Sequence, residues 1–313
     1  MQKRKLGNSG IEVSLVGLGA NNFGGRTDLE ASRKVIHRAL DLGITLIDTA
    51  DIYGNKGGSE EILGKVLGAR RKDVVLATKF GLVMDNAGKL RGASRRYIAQ
   101  ALEASLRRLK TDWIDLYQLH RPDPQTPIEE TLRALDDLVK AGKVRAVGCS
   151  NLSAAQLEEA MTVAQRLGLT SFVAAQDEYN LPERELEKDR LPIMRKRNMS
   201  LLPYFPLASG LLTGKYKHDA PLPPGTRLAR NPPRHADEFL NERNWRIVDA
   251  LDAFVAQRGH TLLELAMSWL ASRPYIPSIV AGATRPEQVE QNIAAVGWAL
   301  SAADLAEIDR ITL

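Results

Sequence analysis

A single cysteine among 313 residues excludes an intrachain disulfide and any multi-cysteine zinc or iron–sulfur site. Histidine is also scarce, with five copies. None falls in a His-x-x-x-His spacing, so no metal site is expected. Aromatic residues make up 5% of the chain, and the basic clusters at Lys3–Lys5, Arg70–Lys72, Arg95–Arg96 and Arg107–Arg108 are scattered. A nucleic-acid surface needs a contiguous basic stripe with stacking aromatics, and neither is present. No window approaches the roughly 18 consecutive apolar residues of a membrane span. The opening Lys-Arg-Lys leads into no apolar stretch, so no signal peptide is expected and the cytoplasm is the default location. The net charge of +5 is a weak bias that a binding site for a small polyanion would accommodate.

What is present is alternation. Short β-rich runs at 15–18, 44–48, 74–78, 113–118, 144–149, 172–176, 200–204 and 276–280 follow a candidate N-terminal hairpin (Arg4–Leu6, Ile11–Val13). Between them the apolar pattern predicts helices near 28–42, 58–69, 94–109, 127–141, 153–167, 184–197 and 240–271, with another after 285. Ser94, Thr126-Pro127 and Ser153 read as helix starts, and Gly43, Gly142 and Gly168 as helix ends. The strand ends recur roughly every 30 residues, the length of one strand–helix unit. Eight nearly continuous hydrophobic strands of this kind predict an α/β chain, a (β/α)8 TIM barrel forming one domain over 1–313. A doubly wound fold would usually open with Gly-x-Gly-x-x-Gly; here the first strand ends Gly17-Leu-Gly19-Ala-Asn-Asn22 and lacks the third glycine. A long segment, 205–239, follows strand seven and carries Pro221, Pro223, Pro224, Pro232 and Pro233. It reads as an unstructured functional loop.

In such a barrel, reactive groups come from the C-terminal strand ends. Strand two ends at Asp48 with Tyr53 in the following loop, strand three at Lys79, strand four at His120. Those strands are neighbours, so the four side chains converge on one rim. A lysine ammonium lowers the pKa of a nearby tyrosine, and an aspartate keeps that ammonium charged. A histidine across the pocket can hydrogen-bond the same substrate oxygen. This equipment protonates a carbonyl oxygen as it becomes an alkoxide, but it contains no source of electrons. Cys149 reads as a small buried hydrophobe.

The segment Asp48-Thr-Ala-Asp-Ile-Tyr53-Gly with Ser59-Glu-Glu-Ile-Leu-Gly64, the segment Asp112-Trp-Ile-Asp-Leu-Tyr-Gln-Leu-His120, and the stretch Gly282–Asn292 together resemble the signatures of the aldo-keto reductase superfamily across essentially the whole chain. The Tyr204–Tyr216 stretch is similar to the bacterial general reductases and the potassium-channel β-subunit-like group. The resemblance implies a barrel that binds NADP(H) and passes hydride to an aldehyde or ketone. Tyr53 would be the general acid, Lys79 and Asp48 its partners, and His120 the orienting group. Ser150, Asn151 and Gln176 would hold the nicotinamide carboxamide, and Tyr204 would stack on its ring. Phe205, Pro206, Leu207, Ala208, Gly210 and Leu211 would wrap the pyrophosphate, with Lys215 and Arg227 pairing to it. Gly282, Thr284, Arg285, Gln288, Gln291 and Asn292 would complete the dinucleotide site. Many family members carry Lys-Ser, arginine and glutamate at the positions of Gly282-Ala283, Gln288 and Gln291, and this chain departs at all of them, which leaves NADH open. Thr284 and Arg285 can still grip a 2′-phosphate, so NADPH is expected as the preferred cofactor. Asn22, Phe23, Ile52 and Phe80 are expected beside a small carbonyl substrate. Two other readings stand alongside. One is a cofactor-sensing regulatory or binding subunit of the same fold. The other is a Schiff-base enzyme built on Lys79.

Overall fold

Strands covered on both faces need apolar side chains at nearly every position, and eight segments of this chain supply them. The computed structural model describes residues 1–218, 220–230 and 233–313, the side chains of 233–235 excepted. Its strands β1 (Lys3–Lys5) and β2 (Glu12–Ser14) form an antiparallel hairpin. They are followed by β3 (Val16–Gly19), β4 (Leu46–Asp48), β5 (Val75–Phe80), β6 (Ile114–Leu119), β7 (Val144–Ser150), β8 (Ala174–Glu178), β9 (Ser200–Tyr204) and β10 (Ile279–Gly282). Every ladder among these eight is parallel. The order β10-β3-β4-β5-β6-β7-β8-β9 brings β9 round to contact β10. The result is the nearly closed (β/α)8 barrel that the strand spacing predicts, with its N-terminal hairpin.

Side-chain alternation decides what each strand offers to the lumen. Leu46, Ala77, Leu116, Ala146, Ala174, Leu202 and Val280 form an inner cluster. Two residues on, the same alternation turns Asp48, Lys79, Gln118, Gly148, Gln176, Tyr204 and Gly282 inward at the C-terminal end. The intervening Ile47, Leu76, Phe80, Tyr117, Cys149 and Ala175 belong to the outer core beneath the helices. The hairpin contributes Leu6, Ile11 and Val13 to the inner cluster, which plugs the N-terminal end. The Arg4 guanidinium holds the hairpin in place by donating to the carbonyls of Ala271 (2.7 Å), Ile276 (2.8 Å) and Arg273 (3.1 Å). With that end closed, the lumen opens only at the strand C-termini.

Helices α1 (Leu29–Asp41), α2 (Tyr53–Val66), α3 (Arg95–Leu109), α4 (Ile128–Lys140), α5 (Ala154–Leu167) and α6 (Leu186–Lys196) follow β3 to β8 in turn. Ser94 and Ser153 cap as expected, accepting from Tyr97 N (3.4 Å) and Gln156 N (3.2 Å). Thr126 does not. Its hydroxyl donates to Asp123 (2.7 Å), and Pro127 stands at the N-cap of α4. The segment 205–239 is not the unstructured loop that its prolines suggest. It contains a 3-10 turn (Ala208–Thr213), α7 (Arg227–Arg230) and α8 (Pro233–Phe239). It is anchored because Leu211, Leu212, Tyr216, Leu228 and Phe239 are buried; Pro232 lies outside the described residues. The single helix expected over 240–271 is two, α9 (Glu242–Ala256) and α10 (Leu262–Ala271). Gly259 takes a positive φ of 69° between them, and Thr261 with Glu264 forms a new capping box. Then α11 (Pro286–Ala294) follows β10, and α12 (Ala302–Thr312) closes the chain. Among the described residues no helix is long and apolar enough to cross a membrane.

If the hairpin closes the barrel as a packed plug, Leu6→Ala leaves a cavity at its centre and lowers unfolding stability by about 2–5 kcal/mol. Urea titration of both proteins measures the difference, and a loss below about 0.5 kcal/mol would contradict the plug.

Candidate active site

The site begins with a charge the barrel buries. Lys79, on β5, is completely inaccessible, and its ammonium donates to both Asp48 carboxylate oxygens (2.8 and 2.7 Å) and to the Thr49 carbonyl (2.9 Å). Asp48 Oδ1 also accepts from Gln176 (2.8 Å) and Gln118 (3.3 Å). Burial pulls the Lys79 pKa down, but Asp48 and the Tyr53 hydroxyl more than offset it, so the net shift is upward. The amine therefore stays charged. That geometry disfavours the Schiff-base reading, because an attacking lysine must be neutral.

Tyr53 reaches this pair as the first residue of α2, five positions past the end of β4. The backbone from Gly54 to Gly57 runs through the left-handed region, with φ of 68°, 62°, 67° and 120°. A left-handed turn costs roughly 1–2 kcal/mol for each residue bearing a Cβ, here Asn55 and Lys56. At Gly54 no side chain fits at all: a Cβ would lie 2.4 Å from the Phe23 carbonyl oxygen and 2.5 Å from Ser59 N. The turn interrupts α2 directly after its first residue, so that Tyr53 faces the lumen while the remainder of α2 leaves over the outside. The Tyr53 ring centre lies 5.1 Å from Lys79 Nζ and 5.7 Å from the His120 ring, edge-on at 86°. Burial raises the Tyr53 pKa above its ordinary value and the Lys79 ammonium opposes this. The expectation of a net lowering is thus corrected: desolvation, with the Asp48 carboxylate adding to it, outweighs Lys79 and Arg227. His120 is pushed down to about 3 by burial, with Lys79 and Arg121 adding to it, so its imidazole is neutral at physiological pH.

These residues form one end of a cavity of about 1070 Å³. Drug-sized ligands occupy about 300–1,000 Å³, so a dinucleotide with a small co-substrate is within its capacity. Asp48, Tyr53 and His120 line it, and so do Ser150, Asn151, Gln176 and Tyr204. The last group is already networked. Ser150 Oγ donates to the Gln176 carbonyl (2.5 Å), Asn151 Nδ2 to Ser150 Oγ (2.8 Å) and to the His120 carbonyl (3.1 Å), and the Tyr204 hydroxyl to Asn151 Oδ1 (2.9 Å). Phe205, Pro206, Leu207, Gly210, Lys215, Arg227, Gly282, Thr284, Arg285, Gln288, Gln291 and Asn292 line the remainder. Ala208 and Leu211 do not; both are buried in the core.

Of the residues expected beside a substrate, Asn22 lines the cavity, whereas Phe23, Ile52 and Phe80 do not. Phe23 and Phe80 are fully buried. Phe80 stacks on Tyr117 with ring centres 4.7 Å apart. Because Lys79 points inward, its neighbour must point outward. Gln118, Arg26 and Arg121 went unforeseen. The inward set of β6 contains Gln118, so alternation would have found it, whereas Arg26 and Arg121 sit in loops without periodicity. Arg26 matters to the electrostatics. Lys215 is lowered by partial burial and by Arg26, Arg227 and Arg285, and Arg227 by burial and Arg26. Among the described residues Arg26, Lys215 and Arg227 have no carboxylate partner. A cluster of mutually repelling cations around a cavity fits a polyanionic ligand such as a dinucleotide diphosphate.

Comparison with known proteins gives the family of the chain. The model of the Aldo/keto reductase family matches residues 15–312. The chain is 39% identical to aldo-keto reductase YhdN of Bacillus subtilis (strain 168) over 318 residues, 99% of this chain and 93% of that one. It is 38% identical to a probable voltage-gated potassium channel subunit beta of Arabidopsis thaliana over 303 residues (95% and 91%). It is 34% identical to L-glyceraldehyde 3-phosphate reductase of Escherichia coli (strain K12) over 319 residues (99% and 92%).

One acid beside the site titrates far from its ordinary range. Both carboxylate oxygens of Asp51 are buried and lack a hydrogen-bond partner among the described residues. Burial and the neighbouring Glu60 carboxylate push Asp51 up to about 8, against the pull of Arg108 and Lys79. The folded chain thus keeps a proton that the unfolded chain loses near pH 4, and this acid's effect on stability becomes less favourable as pH rises from about 4 to about 8. Asp51→Asn should flatten that part of the stability–pH curve and stabilise the protein by about 1 kcal/mol or more at pH 8. Urea unfolding at pH 5, 7 and 8.5 tests it; a variant that parallels the parent at all three values would place the proton elsewhere.

Proposed function

Because the chain belongs to the aldo/keto reductase family, we propose that it is an NADP(H)-dependent oxidoreductase that reduces an aldehyde or ketone to the alcohol, with Tyr53 as general acid. The observation that carries this reading is the buried Lys79–Asp48 pair beneath Tyr53 and His120, at one end of a cavity whose other walls carry uncompensated cations. When bound, the dinucleotide supplies the hydride for the carbonyl carbon. The chain's residues then manage the oxygen. Neutral His120 is suited to donate a hydrogen bond to it, and Tyr53 gives it a proton as negative charge develops. Lys79 stabilises the resulting phenolate, and Asp48 holds Lys79 charged and in place. Ser150, Asn151 and Gln176 offer the mixed donors and acceptors that a carboxamide needs. Arg26, Lys215, Arg227 and Arg285 suit the phosphates, and Arg285 at the start of α11 suits a 2′-phosphate because its planar fork matches phosphate oxygens.

A second reading follows from the likeness to potassium channel β subunits: a protein that binds cofactor and reports its state. The complete set of Asp48, Tyr53, Lys79 and His120 favours catalysis, because a sensor has no need of a proton donor. NADPH oxidation with a panel of aldehydes distinguishes the two, since tight NADPH binding without turnover of any carbonyl is the outcome for a sensor.

Tyr53→Phe should lower kcat by about 10²–10⁴, the usual contribution of a positioned acid, with NADPH affinity nearly retained. Turnover at the parent rate would remove Tyr53 from the role. Arg285→Ala should reduce the preference for NADPH over NADH about tenfold, read from the two dissociation constants by fluorescence titration. An unchanged ratio would move the discrimination to another residue.

A further inference from the structure

Arg121 belongs to none of the groups assigned so far. It follows His120 directly, lines the same end of the cavity and is exposed. Its backbone precedes Pro122, which restricts it to extended conformations. The loop beyond is pinned by Asp123, whose carboxylate accepts from Ala93 N (2.8 Å), Gln125 N (3.0 Å) and the Thr126 hydroxyl (2.7 Å). That acid, two residues away, is therefore committed to closing its own turn. Asp177, buried on β8 beside the inward-facing Gln176, accepts from Asn151 N (2.8 Å) and faces Arg190 (3.7 Å). Among the described residues the Arg121 guanidinium has neither a hydrogen bond nor an ion pair.

Its position separates it from the other cations. Lys215 responds to Arg26, Arg227 and Arg285 but not to Arg121, whereas the charge of Arg121 is felt by His120 and Tyr204. An unpaired cation thus stands where a carbonyl compound would extend away from Tyr53 and His120. We infer that Arg121 selects a small aldehyde carrying a carboxylate or phosphate a short carbon chain from its carbonyl, an inference that rests on the reductase reading above. Arginine suits the task because its fork binds either oxyanion in two-point fashion.

The test compares partners of equal chain length with NADPH as reductant: 4-oxobutanoate against butanal, and glyceraldehyde 3-phosphate against glyceraldehyde. The parent should favour at least one anionic member in kcat/KM, and added KCl should erode the preference because an exposed charge is screened. Arg121→Gln should lower the anionic-to-neutral ratio about tenfold, mainly through KM, and Arg121→Lys should restore part of it. A ratio unchanged in Arg121→Gln, or a parent without any preference for the anionic member, would overturn the inference while leaving the reductase reading intact. A loss of NADPH affinity in Arg121→Gln equal to the loss in kcat/KM would assign the residue to the dinucleotide and also overturn it. Absence of turnover with all four carbonyls would overturn the reductase reading, and the inference with it.

Discussion

The buried ion pair between Lys79 and Asp48 is the constraint around which the upper barrel is arranged. Two charges taken out of water carry a desolvation penalty of several kcal/mol each, which mutual attraction repays only with good geometry and additional hydrogen bonds. Here the ammonium has three acceptors, and one aspartate oxygen has three donors. Those groups come from β4, β5, β6 and β8 and from the start of the loop after β4, so the pair ties half of the strands together at their C-terminal ends. An apolar pair of similar volume would stabilise a barrel at least as well. What it would not provide is a fixed positive charge 5.1 Å from the Tyr53 ring.

Charge elsewhere in the cavity follows a different logic. Lys79 is satisfied by a carboxylate, whereas Arg26, Lys215 and Arg227 have no carboxylate partner among the described residues and repel one another. Such an arrangement is unfavourable in the free protein and becomes favourable once an anion joins it. The chain's small net charge of +5 therefore understates the local field, because acids and bases elsewhere cancel while those lining the cavity do not.

The barrel was legible in the sequence because parallel strands covered on both faces write near-continuous hydrophobic runs, and because polar residues interrupt them at the ends facing the lumen. Asp48, Lys79 and His120 were found in that way. Phe80 is turned away from the cavity by strand alternation, whereas Phe23 lies in the loop after β3, where no periodicity tells which way it faces. Alternation puts Phe80 on the opposite face from Lys79, and the same rule turns Gln118 inward. In the segment 205–239 the prolines register only where helices break, while the buried Leu211, Leu212, Tyr216 and Leu228 determine that the segment nonetheless packs. Arg26 and Arg121 left no signal of this kind. Their positions depend on how loops fold back over the barrel mouth, which no local periodicity encodes. The raised pKa of Tyr53 was equally hidden, since spacing reports which charge stands nearby but not how much water has been removed.

That last shift bears directly on the chemistry. Burial disfavours charge of either sign, and it acts on Tyr53 and His120 together: the phenol keeps its proton and the imidazole does not gain one. At neutral pH the floor of the cavity therefore contains one balanced ion pair and two uncharged rings. A tyrosine ionised in the resting state would repel an oxygen acquiring negative charge. A protonated one can hydrogen-bond to that oxygen throughout and release its proton only when the oxygen becomes the stronger base. In the proposed reaction Lys79 would act late, on the phenolate, where its attraction is largest because the surroundings are dry. Under that proposal the lysine favours the charge distribution at the end of proton transfer over the one at its start, and an interaction that strengthens along the reaction is the kind that lowers its barrier.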